Sequence, residues 1–300
     1  MIRSFDELKK KASSVGKKRL VIAGGADRVA VESAIEAGKL GWIDPVLVGP
    51  KADIERVGSG LDLSLAEIVD EGDPNQMVLR AVEMVSRGDG DILMKGFVQT
   101  SAFLKGVLDK EVGLRTGKVL SHLAVLEVPN YHKLLFLTDG GMNIRPDLVT
   151  KLDIVQNAVN FIHSLGIDRP KVALLAAVET VNPKMEETID AAHISKMAER
   201  KQIKGCIVDG PLAMDIILSK EAAEHKGVDS PVCGDTDIIV VHDIATGNAV
   251  AKALIYLANA KIAGLVLGAR APVVLLSRAD SMETKLCSIA LGVVSCEHWH

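Results

Sequence analysis

Short apolar runs alternate along most of this chain with longer stretches whose apolar positions recur every three to four residues. That rhythm predicts buried strands followed by amphipathic helices. Residues 20–23 predict a strand ending at Gly24-Gly25, Asp27 caps a helix to about Lys39, and 45–49 predict a second strand. Residues 66–69 give a weaker third. Asp73-Pro74 opens a helix through Arg87, with proline where its missing N–H costs nothing. Strand 91–94 and helix 100–108 follow. This alternation implies parallel strands covered by helices on both faces.

The middle breaks the rhythm. Residues 118–128 and 133–138 are extended runs separated by Pro129-Asn130-Tyr131-His132, an antiparallel hairpin, and a glycine-rich break at 138–143 suggests a domain boundary. Alternation then resumes, with helices 146–165, 184–202, 212–223 and 247–259 among strands 172–178, 206–208, 237–241 and 262–267. Strand 272–276 and helix 282–294, with Met282, Leu286, Ile289, Ala290 and Val293 at helical spacing, close the chain. The fold class is α/β, two-lobed, with parallel or mixed sheets flanked by helices. Spacing alone lets the last strand and helix join either lobe.

Composition removes several functions. A 300-residue chain that is 48% hydrophobic buries a substantial core, and a net charge of −4 with 3% aromatics gives no case for nucleic acid or an anionic membrane. No apolar run reaches spanning length and the N-terminus has no secretory core, so a cytoplasmic protein is expected. Cys206, Cys233, Cys287 and Cys296 lack metal-ligand spacing, which implies reduced thiols and no metal site. The histidines form no H-E-x-x-H pair, and the carboxylates of 184–201, Glu186 and Asp190 among them, read as a solvated helix face. Dinucleotide, P-loop and nucleophile-elbow fingerprints are all missing.

Candidate chemistry gathers where strands end, because ligands of open α/β sheets bind at strand carboxyl ends. The polar residues expected there are Gly24, Gly25, Asp27, Lys95, Gly96, Thr100, Asp139, Asn143, Asp209, Gly210, Asp243, Gly247, Asn248, Ser277 and Arg278. Many are ordinary turn and cap residues. Lys95 and Arg278 are not, since a cation makes no better turn than other residues, and together they suggest a site for an anionic substrate. Ser277, Arg278 and Ser281 fall where a strand turns into a helix, whose unpaired N–H groups attract anions and whose neighbouring guanidinium offers a bidentate fork. A plain helix cap beside a solvated arginine is the alternative.

Several motifs in order carry a resemblance: Met94-Lys95-Gly96 with Gln99-Thr100, 104–108, Thr138-Asp139-Gly140-Gly141-Met142-Asn143, 208–211 with Asp215, 229–234, 243–248, and Leu276-Ser277-Arg278-Ala279-Asp280-Ser281. The chain resembles the phosphate acetyltransferase and phosphate butyryltransferase family, closest to its butyryl branch. The resemblance implies an isocitrate/isopropylmalate dehydrogenase-like fold in which 1–138 plus 272–300 form one lobe and 139–271 the other, with the active-site cleft between them. It implies reversible transfer of a short acyl group, butyryl or alternatively acetyl, between coenzyme A and phosphate by direct attack. Coenzyme A is then a substrate, no cofactor is tightly bound, and the partners are acyl-CoA and inorganic phosphate or acyl phosphate. A homo-oligomer, dimer or larger, is expected. The family's serine–arginine pair matches Ser277 and Arg278; a family arginine falls at Lys105, and Lys95, Thr100, Asn143, Gly247, Asn248 and Ser281 are the further substrate-binding candidates. The family aspartate proposed to deprotonate the thiol falls at Thr284, which cannot be a base near neutral pH. Asp280 is the candidate replacement, or else simply a carboxylate at a helix start. A non-catalytic, metabolite-sensing relative is the rival of another class.

Overall fold

The computed structural model describes residues 2–277 and 280–299, so Arg278 lies outside the described residues. The chain runs α1 (Phe5–Val15), β1 (Lys18–Ala23), α2 (Arg28–Lys39), β2 (Ile43–Gly49), α3 (Lys51–Val57), β3 (Glu67–Asp70), α4 (Pro74–Arg87), β4 (Ile92–Lys95) and α5 (Thr100–Val107). It continues with β5 (Ser121–Glu127), β6 (Leu135–Thr138), α6 (Leu148–Ser164), β7 (Lys171–Leu175), α7 (Glu186–Glu199), β8 (Ile207–Leu212), α8 (Met214–Leu218), α9 (Lys220–His225) and β9 (Ile238–Val240). Then come α10 (Ile244–Leu257), β10 (Lys261–Leu267), β11 (Val273–Val274) and α11 (Met282–Ser295).

Two compact units result. Among the described residues, the first lobe comprises 5–118, 263–277 and 280–299; the second comprises 119–262 with residues 2–4. In the first, the strand order is β3-β2-β1-β4-β11-β10, parallel except for β10 against β11. In the second it is β5-β6-β9-β7-β8, with only the β5–β6 hairpin antiparallel. The crossovers thus lie at 118/119 and 262/263, not at the expected 138/139 and 271/272. The reason is strand pairing. β6 is hydrogen-bonded beside β9, so the hairpin travels with the second lobe, and the glycine-rich 138–143 is a strand-end loop instead of a linker.

Local signals placed most helices. Asp27 and Asp73 accept hydrogen bonds from Ala30 N and from Asn75 N and Gln76 N, the N-caps expected from sequence. The expected helix over 212–223 is instead α8 and α9, because Ser219 leaves helical geometry (φ −131°, ψ 120°) and its hydroxyl caps α9. The strand expected over 272–276 shortens to β11. α11 is buried on every side from Lys285 to Ser295 and packs on α1 and α2. α1, unread in the sequence, presents Phe5, Leu8 and Ala12 inward at helical spacing. Trp299 of the C-terminal tail donates to Ala269 O at 3.0 Å, so this residue is held against the first lobe.

Candidate active site

Parallel pairing sets three strand ends side by side in the first lobe. Ala23 of β1 lies opposite Lys95 of β4, and Met94 lies opposite Val274 of β11. The turns after β1 and β4 press together through their backbones: Gly96 N donates to Ala23 O (2.9 Å) and Phe97 N to Gly24 O (2.7 Å). Only glycine permits this approach. A Cβ on Gly96 would stand 2.1 Å from Gly24 O, and Gly24 itself has φ +82°. Lys95 is 7% exposed and donates to Gly96 O and Val98 O, so a buried cation sits at the end of β4. Thr100, the first residue of α5, and Lys105, in its last turn, are both exposed on the helix that follows.

The loop after β11 joins the same edge. Ser277 is exposed, and its N–H donates to Asp280 Oδ2 at 2.7 Å while Asp280 N returns to Ser277 O at 3.2 Å. Ser281 is the N-cap of α11, accepting from Thr284 N at 3.2 Å, with the Thr284 hydroxyl 3.1 Å from its own. Thr284 is therefore part of the cap. Lys285, absent from the sequence-based candidates, is 3% exposed and reaches back to Ser277 O at 3.2 Å. Nothing in the periodicity marks it, since its ammonium is revealed as buried only by the packing of α11.

In the second lobe the turn after β6 is organised by Asp139, 2% exposed. Its Oδ1 accepts from Gly141 N and Met142 N, and its Oδ2 accepts from Asn143 N (3.3 Å) and Nδ2 (2.6 Å). Asn143 Nδ2 also donates to Leu120 O at 2.9 Å, so this candidate pins its own loop. Gly247 is buried against Gly140, where an added Cβ would come within 2.5 Å of Gly140 Cα. Asn248, the next residue of α10, is exposed. Asp243 caps α10 through Thr246 N, and that bond holds its carboxyl below the usual carboxylate range. The structure thus groups Lys95, Thr100, Lys105, Ser277, Asp280 and Ser281 in one lobe and Asn143, Gly247 and Asn248 in the other. Asp209 and Gly210, expected at a strand end, lie inside β8.

Two polar networks of the second lobe escaped sequence reasoning. At the carboxyl end of β9, Lys151 (3% exposed) contacts Asp190 Oδ2 at 2.5 Å and His242 Nδ1 at 2.7 Å. Asp190 is therefore not on a solvated face, as its helical spacing with Glu186 suggested. Burial first, and then the Lys151 charge, lower the His242 pKa, which keeps the imidazole neutral and able to accept from the ammonium. At the amino ends of β6, β7 and β9, Lys133, Lys171 and His132 converge on Asp235, and Lys133 also pairs with Asp237. Burial alone would raise the Asp235 carboxyl; hydrogen bonds from Lys171, Lys133 and His132 overcome it and hold the group well below the usual range.

Thiol nucleophiles are poorly served. Burial pushes Cys206 up to about 11 and Cys296 up to about 12, far from thiolate at neutral pH. Among the described residues, no three His, Cys, Asp or Glu side chains are grouped to hold a metal, and no helix is long and apolar enough to cross a membrane.

The chain is 49% identical over 296 residues to the phosphate butyryltransferase of Clostridium acetobutylicum, covering 98% of each. It is 44% identical over 292 residues to the phosphate acetyltransferase of Thermotoga maritima, covering 97% of this chain and 99% of that one. Among solved structures, a branched-chain phosphotransacylase from Enterococcus faecalis V583 superposes with a TM-score of 0.84 at 34% identity, over 94% of this chain and 99% of that one. The family model described as "Phosphate acetyl/butaryl transferase" matches residues 73–293, and the chain belongs to that family.

Proposed function

We propose that this protein catalyses the reversible reaction of a short-chain acyl-CoA with inorganic phosphate to give acyl phosphate and free coenzyme A. One observation carries the reading. Within a family of acyl transferases, the first lobe sets Lys95 and the Ser277 loop, ahead of the positive end of α11, at adjoining strand ends. That edge suits a phosphate group.

In the forward direction a phosphate oxygen attacks the thioester carbonyl carbon, and the C–S bond breaks to release the CoA thiolate. In reverse, the thiolate attacks the acyl phosphate and phosphate leaves. Ser277, Arg278 and the backbone N–H groups at the start of α11 hold the negative charge that develops on the reacting oxygens. Lys95, Thr100, Lys105, Ser281, Asn143, Gly247 and Asn248 are the further substrate-binding candidates. Thr284 supplies no base. A thiol with an ordinary pKa of about 8.5 is already partly ionised near neutrality, and a cationic edge ionises it further. One oxygen of Asp280 is engaged by Ser277 N, which suits a clamp on the loop. Direct attack between bound substrates needs no acyl-enzyme.

Butyryl is the acyl group we favour, because the more similar of the two relatives compared carries that name. Acetyl is the second reading, favoured by the relative at 44% identity. One methylene contributes only about 1–3 kcal/mol of discrimination, so chain length is decided by measurement. The test is phosphate-dependent release of free thiol from acetyl-, butyryl- and isobutyryl-CoA. Release strongest with a four-carbon substrate is expected. Release strongest with acetyl-CoA keeps the chemistry and changes the substrate. No phosphate-dependent release from a folded sample overturns the reading in favour of a sensing relative.

A further inference from the structure

Lys285 occupies a costly position. It is 3% exposed, and among the described residues its ammonium has one acceptor, the carbonyl oxygen of Ser277 at 3.2 Å. Among the described residues no carboxylate pairs with it. A buried ammonium without a counter-charge is disfavoured by desolvation, and a lone backbone carbonyl compensates only part of that. The residue also lies one turn into α11, where its N–H makes the bond to Ser281 O and its side chain leans toward the helix start. That end of a helix already carries partial positive charge, so a cation there is disfavoured a second time. The nearby carboxylates are committed elsewhere, Glu283 to Lys9 at 2.5 Å and Asp280 to Ser277 N.

A group that costs the fold on two counts, in a loop already holding candidate anion-binding residues, fits a charge that an incoming ligand completes. We propose that Lys285 is a further anion-binding residue of this site, its ammonium supplying positive charge beneath the Ser277 loop to the phosphate group of the substrate. The inference rests on the phosphate acyltransferase reading and deepens it. With threonine at the family's aspartate position, a fixed cation one residue further on favours the ionised thiol by electrostatics where no side chain removes the proton.

The competing role is a pin that merely satisfies Ser277 O, and the two roles differ in what substitution does. Lys285→Met removes charge and donor at similar length; Lys285→Gln removes the charge and keeps a donor. Thermal unfolding is followed while inorganic phosphate is titrated into wild type and both variants, alongside thiol-release kinetics. For an anion-binding residue, both variants unfold at or above the wild-type temperature without phosphate. Their apparent phosphate affinity then falls by roughly tenfold or more, the loss expected for one hydrogen bond to a charged group, and turnover falls with it. Unchanged phosphate affinity and turnover in Lys285→Met overturns the proposal. So does a lowered unfolding temperature in Lys285→Met that returns, with activity, in Lys285→Gln. If wild type releases no thiol from any acyl-CoA yet phosphate still stabilises it through Lys285, the anion-binding role stands and the acyltransferase reading falls. If phosphate stabilises none of the three proteins and wild type is active, the role of Lys285 falls alone.

Discussion

Two lysines with the same 3% exposure, Lys151 in the second lobe and Lys285 in the first, meet burial in opposite ways. Lys151 is closed off by the Asp190 carboxylate and the His242 ring. Among the described residues Lys285 has only the carbonyl oxygen of Ser277, ahead of the start of α11. A cation whose charge is neutralised inside the fold contributes to holding the fold together. One left uncompensated lowers stability, and on the proposal above it raises affinity for an anion at the start of α11. The difference teaches that burial alone does not identify a functional lysine; the state of its counter-charge does.

The comparison is broken most severely by Lys151→Met. It leaves Asp190, only 14% exposed in its side chain, as an unpaired carboxylate, and we expect a loss of about 3–5 kcal/mol in urea unfolding. Equal losses for Lys151→Met and Lys285→Met would erase the contrast. Next is Arg278→Ala. On the proposed mechanism this removes a donor to the developing oxyanion, and we expect turnover to fall roughly 10²–10³-fold with a much smaller rise in the CoA Michaelis constant, as steady-state kinetics would resolve. Retained turnover would remove the serine–arginine pair from the centre of the mechanism. Smaller again is the effect at Asp280. Asp280→Asn keeps an acceptor for Ser277 N and should preserve most activity, whereas Asp280→Ala loses about 1 kcal/mol of loop stability and a corresponding share of turnover. If Asn were as damaging as Ala, the carboxylate would be acting as a base.

The mildest test concerns the closed network at Asp235. Its folded-state pKa is depressed, so its stabilising contribution is fully present above the unfolded value of about 3.9 and is lost as pH falls through the folded one. The gap in unfolding temperature between wild type and Asp235→Asn should therefore be widest near neutral pH and should narrow progressively as pH falls below about 4. A gap independent of pH would assign the effect to packing. Half-exposure of this carboxylate keeps the expected gap small.

What the sequence makes legible follows from how far apart the interacting residues are. Asp27, Asp73 and Ser281 cap helices through amides two or three residues away, and each can be read as a cap or helix-start residue from its own neighbourhood. The β5–β6 hairpin is equally local. The strand-end positions of Lys95 and Ser277 follow from the same alternation of runs and turns. Asp190 was misread because its partner lies 39 residues away on another helix, and helical spacing with Glu186 says nothing of tertiary pairing. The lobe boundary was displaced for a related reason. A glycine-rich segment looks alike as a linker or as a strand-end loop, and only the pairing of β6 with β9 distinguishes them. Lys285 falls at i+3 from Met282 in α11, and that spacing says nothing of whether its ammonium meets a counter-charge.

The backbone contact between Gly24 and Gly96 has a meaning for how such a protein can diverge. Because a single added methyl at Gly96 would stand 2.1 Å from Gly24 O, neither turn can acquire a side chain there without moving the strand ends. Mutational exploration is therefore walled off at this strand-end edge and channelled to its neighbours. Phe97, next along the same turn and 56% exposed, is the nearest position where variants can accumulate gradually. A lineage retuned for another acyl group would keep the two glycines fixed and change around them, one chemistry held constant while its clientele shifts.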